Sequence, residues 1–211
     1  SDEAARMWCI GGEDTSGDKQ VAGCTAVLAA KKLTDNARKA AYYLRGNAYT
    51  EMRAYDRAIA DYSAAIKIDP NYAGAYRGRG ELYLRSGDKA KALADFDRAL
   101  KLDPDAATFM LRAQAREASN DLNGALSDYQ EAARRDAKNV TALTAIAGIW
   151  RKRGDVDKAI ATYDRAIGLE QNRPSTYKLR AEAYAAKGER KKAMDDITRA
   201  LKFSWNADLL K

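Results

Sequence analysis

The chain has no histidine and only two cysteines in 211 residues. Without imidazole, and with so few thiols, a zinc site, a haem site and a Cys–His catalytic pair have nothing to be built from, and no cofactor is expected. No apolar run approaches the roughly 20 residues that span a bilayer, so no transmembrane segment is expected. No secretory signal is visible either. The chain opens on Ser1 rather than Met, so either a leader has been removed or the sequence has been trimmed. What the sequence does hold is 46% hydrophobic and 32% charged residues, a balance that suits a soluble all-α protein.

Its organisation lies in its alanines. Ala58, Ala92, Ala125, Ala159 and Ala193 recur at spacings of 34, 33, 34 and 34 residues. Seven residues beyond each stands Ala65, Ala99, Ala132, Ala166 or Ala200, and between them lie Tyr62, Phe96, Tyr129, Tyr163 and Ile197. Twelve residues before each stands Gly46, Gly80, Ala113, Ala147 or Ala181. Small residues let two antiparallel helices approach closely, and the bulky residue fills the gap that remains. A period near 34 residues marks a stack of helix pairs, in which each pair contacts mainly its sequence neighbours. Repeats are therefore expected near 39–72, 73–105, 106–139, 140–173 and 174–207 of a domain covering 37–211.

Numbering each repeat from 1 to 34 gives the register a physical meaning. Positions 4, 8 and 11 share one helical face, as do 20, 24 and 27. Position 15 is Arg53, Gly87, Asn120, Gly154 and Gly188, and glycine or asparagine there suits the left-handed residue that ends a helix. Position 32 is Pro70, Pro104, Ala137, Gln171 and Trp205, so only the first two repeats keep a proline stop.

The phrases YYLRGNAYTEMRAYDRAIADYSAAIKIDP and AYRGRGELYLRSGDKAKALADFDRALKLDP resemble tetratricopeptide repeats, and the resemblance extends from residue 39 to about 205. It implies an all-α, right-handed superhelical solenoid of antiparallel helix pairs, about five repeats with an N-terminal capping helix. It also implies a concave groove lined by the first helix of each pair. Groove positions here include Tyr43, Asn47, Thr50, Arg77, Glu81, Arg85, Met110, Gln114, Glu117, Arg151, Lys178 and Glu182. Aromatic, Met, Arg and amide groups in one strip suit an extended peptide. Gly78, Ala107 and Leu111 stand where the carboxylate clamp of chaperone adaptors needs polar or basic groups, so that ligand is not expected.

Residues 1–36 differ from the repeats. Ser1 to Gly17 reads as irregular, and Asp18 is placed to cap a helix through VAGCTAVLAAKK. AGCTAVL lies over ADYSAAI of the first repeat, which puts Cys24 at the aromatic position 24 and makes this helix a cap. A Cys9–Cys24 bridge would close a loop of about 15 residues and contribute roughly 3 kcal/mol. Bridged cysteines, the favoured reading, place the protein in the periplasm or outside the cell; reduced ones leave it cytoplasmic. The arrangement of Cys9, VAGCTAV and LRGNAY also resembles exported tetratricopeptide proteins of alphaproteobacteria.

Two charges travel together. Position 7 is Arg45, Arg79, Arg112, Ile146 and Arg180, and position 23 is Asp61, Asp95, Asp128, Thr162 and Asp196. The fourth repeat has lost both, as expected of an ion pair within each repeat. Such pairs would occupy four arginines and weaken the case for nucleic acid that the +7 net charge invites. Arg151-Lys152-Arg153 and Arg190-Lys191-Lys192 remain as basic clusters that could meet an acidic partner or anionic lipid heads. Gly78-Arg79-Gly80 lies inside a repeat helix, which argues against a phosphate cradle. Asn139-Val140-Thr141 fits a glycosylation sequon, a pattern common by chance. No nucleophile with a base can be singled out, so no catalytic residue is expected. The reading is a non-enzymatic interaction module or scaffold with a protein or peptide partner, sited in the cell envelope by its cysteines. The alternative is a basic helical repeat that binds nucleic acid or an acidic polymer.

Overall fold

The computed structural model describes residues 2–12 and 15–209. All regular structure among them is helical, with no strand. The helices form two compact units, one ending at Pro104 and the other beginning at Asp105. The first holds α1 (Asp2–Ile10), α2 (Gly17–Leu28), α3 (Asp35–Glu51), α4 (Tyr55–Ile68), α5 (Ala73–Arg85) and α6 (Lys89–Leu102). The second holds α7 (Ala106–Ala118), α8 (Leu122–Arg135), α9 (Val140–Lys152), α10 (Val156–Leu169), α11 (Pro174–Ala186) and α12 (Arg190–Leu209). Within each unit, consecutive helices pack in pairs, and each pair packs on the next. The fold class is the all-α helical-repeat solenoid, with five full pairs and a capping pair.

The small residues do what their spacing implies. Ala58, Ala65, Ala92, Ala125, Ala132, Ala159, Ala166 and Ala200 are wholly buried. Against them lie the side chains of Tyr62, Phe96, Tyr129 and Tyr163, also buried. A methyl group on Gly46 would come within 2.8 Å of the Tyr62 ring, and so would one on Gly78 of the next pair. Gly80 stands 2.9 Å from Phe96 in the same sense. The two glycines of Gly78-Arg79-Gly80 therefore admit rings from the facing helices.

Every repeat makes its internal corner the same way. Arg53, Gly87, Asn120, Gly154 and Gly188 have φ of 58°, 85°, 62°, 83° and 82°, all left-handed. Glycine reaches that region without cost and asparagine tolerates it, whereas Arg53 holds it under strain.

The position 7 and 23 charges meet in each repeat that has them. Arg45 donates from Nε and Nη2 to the two Asp61 oxygens at 2.7 and 2.8 Å. Arg112 does the same to Asp128 at 2.9 and 2.7 Å, and Arg180 to Asp196 at 2.7 Å twice. The aspartates are buried. Hydrogen bonding to Asp61 and Asp95 raises the Arg45 and Arg79 pKa above the ordinary guanidinium value, and Asp196 does so for Arg180. Rings at positions 4 and 11 flank the guanidinium: Tyr42 and Tyr49 for Arg45, Tyr76 and Tyr83 for Arg79, Tyr177 and Tyr184 for Arg180. In the third repeat Arg116 replaces the second ring and adds its own bond to Asp128 at 2.8 Å. A third donor reaches back to the preceding pair: Arg45 to Thr25, Arg79 to Ser63 and Arg180 to Asp164. In the fourth repeat, Ile146 and Thr162 are both buried, and Thr162 Oγ1 turns back to donate to its own helix at Lys158 O.

The N-terminal region departs from expectation. Residues Asp2–Ile10, read as irregular, form α1, so the cap is a helix pair rather than one helix. The polar composition hid this because one face of a short helix is enough to seat it. Ser16, not Asp18, caps α2: its Oγ accepts from Lys19 N, and Asp18 falls in the first turn. The helix also stops at Leu28, short of the lysines. Glu13 and Asp14, part of the same irregular stretch, lie outside the described residues. Cys9 and Cys24 form a disulfide between α1 and α2, with their Cα atoms 4.4 Å apart. Both are buried, in a cluster with Ala41 of α3.

Candidate partner-binding surface

The first helices of the pairs carry the candidate groove residues, and each unit assembles its own set. In the first unit the organising group is Tyr62. Its ring lies 5.9 Å from the Tyr43 ring, which in turn lies 5.1 Å from Tyr72. Its hydroxyl donates to Asn47 Oδ1 at 2.8 Å and lies 3.2 Å from Thr50 Oγ1. Burial pushes the Tyr62 phenol up to about 12, and among the smaller contributions Glu81 adds to the rise while Arg77 opposes it. Tyr43 and Asn47 thus contact one buried phenol, whose charge environment Arg77 and Glu81 of α5 also influence. Arg85 stands one turn beyond, exposed, with Nη2 3.3 Å from Glu81 Oε1. Composition alone assigned Tyr62 to the core. The signal that it also has a polar task was the pair Asn47 and Thr50 on the facing helix, at helical spacing.

The second unit differs. Met110 packs at the edge of the cluster formed by Tyr129, Ile146 and Ile149. Gln114 and Lys178 are exposed. The remaining charges are tied to one another: Tyr129 donates to Glu117 Oε2 at 3.0 Å, Lys152 pairs with Glu117, and Arg151 pairs with Glu182. Those two ion pairs link neighbouring repeats, which the spacing within single repeats did not reveal. The Tyr163 hydroxyl, at the equivalent of Tyr62, is buried with no hydrogen-bond partner among the described residues. The Tyr129 phenol is also pushed up, by burial first and then by Glu117.

This architecture matches a known family. A TPR repeat model matches residues 46–87, and tetratricopeptide repeat models match 73–106 and 110–176. The chain belongs to the tetratricopeptide-repeat family. Among solved structures, a crystal structure of MamA is 22% identical, with a TM-score of 0.73 over 77% of this chain and 96% of that one. YrrB, described as a TPR protein with an unusual peptide-binding site, is 21% identical, with a TM-score of 0.67 over 77% and 84%. A tetratricopeptide repeat protein from Parabacteroides merdae is 20% identical, with a TM-score of 0.74 over 88% and 73%. These likenesses establish the fold. No curated protein matches the sequence significantly. Tetratricopeptide repeats are in general non-enzymatic interaction scaffolds, and the repeats of this chain support a protein–protein interaction module. No helix among the described residues is long and apolar enough to cross a membrane.

Proposed function

We propose that the chain is a non-enzymatic scaffold of the cell envelope that holds an extended peptide or protein segment against the first helices of its repeats. The observation that carries this reading is the packing of Tyr43 and Asn47 on Tyr62 in the first unit, with Arg77 and Glu81 at groove positions of the neighbouring α5. A ring face and an amide, with a guanidinium and a carboxylate on the next first helix, suit the main chain and side chains of an extended peptide. Met110, Gln114 and Lys178 offer a smaller set in the second unit. The peptide-binding site described for YrrB, on the same fold, supports the reading. The Cys9–Cys24 disulfide supports an oxidising compartment, periplasmic or extracellular. Against nucleic acid stands the clamping of Arg45, Arg79, Arg112 and Arg180 by their own aspartates, which withholds four guanidiniums from phosphate while leaving the net charge unchanged.

The test is to pan a random peptide display library against the full chain and measure the selected peptides. Arg77→Ala and Gln114→Ala, tested separately, should each weaken binding by about 1–3 kcal/mol, as for a lost polar anchor. Asn47 is a poor probe, because its carbonyl serves Tyr62. Unchanged binding by both variants, with loss on charge reversal at Lys191 and Lys192, would place recognition elsewhere.

A further inference from the structure

Two junctions between successive pairs are closed by a cation. In the fourth pair, position 14 is Arg153, at the end of α9, and it donates from Nη2 to Asn123 Oδ1, position 18 of the third pair. Its guanidinium also lies over the Trp150 ring, 5.4 Å from the centroid. In the fifth pair, position 14 is Lys187, and its ammonium meets Asp157, position 18 of the fourth pair, at 2.7 Å. A long basic side chain thus straps each of these pairs to the one before it.

The junction of the first and second pairs keeps the acceptor and lacks the strap. Position 14 is Ser86, whose hydroxyl turns back to donate to Tyr83 O at 3.0 Å. Position 18 is Asp56, exposed, with no partner for its carboxylate among the described residues. Between them lies a crevice of about 450 Å³, within the range of small-ligand sites. Ile59, Leu82, Tyr55 and Tyr83 give it an apolar lining. Tyr83 stands at position 11, the place of Trp150. Lys91 lies over Tyr83 at 5.3 Å as Lys158 lies over Trp150 at 4.5 Å. The cations beside the crevice do not bar another. Arg85 and Lys91 are held by Glu81 and Asp88 at 3.3 and 2.7 Å. Lys152 and Lys158, their counterparts beside Arg153, are held in the same way by Glu117 and Asp155.

We propose that this junction is a docking site for an arginine side chain of a peptide partner, which takes the place of the strap. The guest guanidinium donates to Asp56 and lies over Tyr83, the two contacts that Arg153 makes with Asn123 and Trp150. A carboxylate in place of the amide makes the bond charge-assisted and stronger. The aliphatic stem of the guest covers Ile59 and Leu82. Arg53, exposed at the rim, is a donor for the main-chain carbonyls beside the guest side chain. The site deepens the peptide-scaffold reading and rests on it for the guest's being a peptide.

The experiment is an NMR titration of the amides of the full chain with Gly-Gly-Arg-Gly-Gly blocked at both ends. Shifts should concentrate at Asp56, Tyr83 and Ser86. Citrulline in place of the arginine, neutral and of the same shape, should weaken binding on the order of tenfold or more. Asp56→Ala should weaken it on the order of tenfold. Ser86→Arg restores the strap on a backbone that already matches, since φ and ψ are −80° and −3° at Ser86 and −84° and −6° at Arg153. That variant should lose the shifts while melting no lower than the native chain. No shifts at millimolar peptide, equal binding of the citrulline peptide, or full binding by either variant overturns the proposal. So does methylguanidine that binds as tightly as the peptide, because the guest is then a free guanidine. Asp56 and Ser86 lie outside the groove, so this titration and the tests on Arg77→Ala and Gln114→Ala fail independently.

Discussion

Arg79 grips Asp95 through two parallel contacts of 2.8 Å, from Nε and Nη2, across sixteen residues of sequence. The aspartate is buried, and the guanidinium also bonds Ser63 of the preceding pair at 3.0 Å. Removing one partner strands a charge. Asp95→Thr should therefore cost about 3 kcal/mol in denaturant unfolding. Arg79→Ile alone should cost a similar amount. The double variant recreates the Ile146/Thr162 arrangement of the fourth repeat and should cost clearly less than the two singles combined. Additive losses in that double-mutant cycle would mean that the pair is not coupled.

Two glycines with equally empty surroundings should respond to alanine in opposite directions. Nothing lies within 4 Å of a methyl group built on Gly87 or on Gly148. Gly87 has φ of 85°, so Gly87→Ala should destabilise by about 1 kcal/mol. Gly148 is inside α9, and Gly148→Ala should stabilise by up to about 1 kcal/mol. Arg53→Gly, at the strained corner of the first repeat, should be neutral to stabilising by about 0.5 kcal/mol. Thermal melts of the three variants decide it.

The buried phenols should separate by their partners. Tyr163→Phe removes a hydroxyl with no bond and should cost nothing or stabilise slightly. Tyr62→Phe removes the bond to Asn47 and should cost about 1 kcal/mol near neutral pH. Tyr62 ionises near 12 when folded and near 10 when unfolded. Its contribution is complete below pH 10 and is lost as pH rises toward 12, because the unfolded chain gives up its proton first. The gap between native and Tyr62→Phe stability should therefore narrow above pH 10 and then reverse, by at most about 2–3 kcal/mol.

The disulfide closes fifteen residues between Cys9 and Cys24. Cys9→Ser with Cys24→Ser should lower stability by about 3 kcal/mol and leave α3 to α12 helical, because the bridge lies within the capping pair. Circular dichroism and melting test both parts. Free thiols in protein isolated from its native compartment would argue against an envelope location.

Much of this structure was legible because repetition supplies its own controls. Ala58 and its counterparts share one register, so their spacing reported helix packing directly. The joint loss of arginine and aspartate at Ile146 and Thr162 exposed a contact that neither position alone would have shown. Arg53 was harder to read, since side-chain chemistry gives no hint of a left-handed backbone and only its alignment with Gly87 does. The capping pair was read poorly because α1 has no second copy to compare with. The candidate surface was legible as a set of positions only. Which of its groups are already engaged, as Asn47 is by Tyr62 and Glu182 by Arg151, depends on neighbours in other helices.

The fourth repeat has one more consequence, for temperature. Its Ile146 and Thr162 replace a clamp whose main opposing cost is the dehydration of two ions. That cost falls on heating, because ion hydration becomes less favourable as temperature rises. Apolar contact at Ile146 follows a different course and weakens on cooling. The hairpins of this chain therefore do not share one thermal response. Cold should loosen the fourth pair first, and warmth should favour the clamped pairs relative to it. Amide exchange in α9 and α10, compared near freezing and near the melting range with that in α7, α8, α11 and α12, should show the order of opening change.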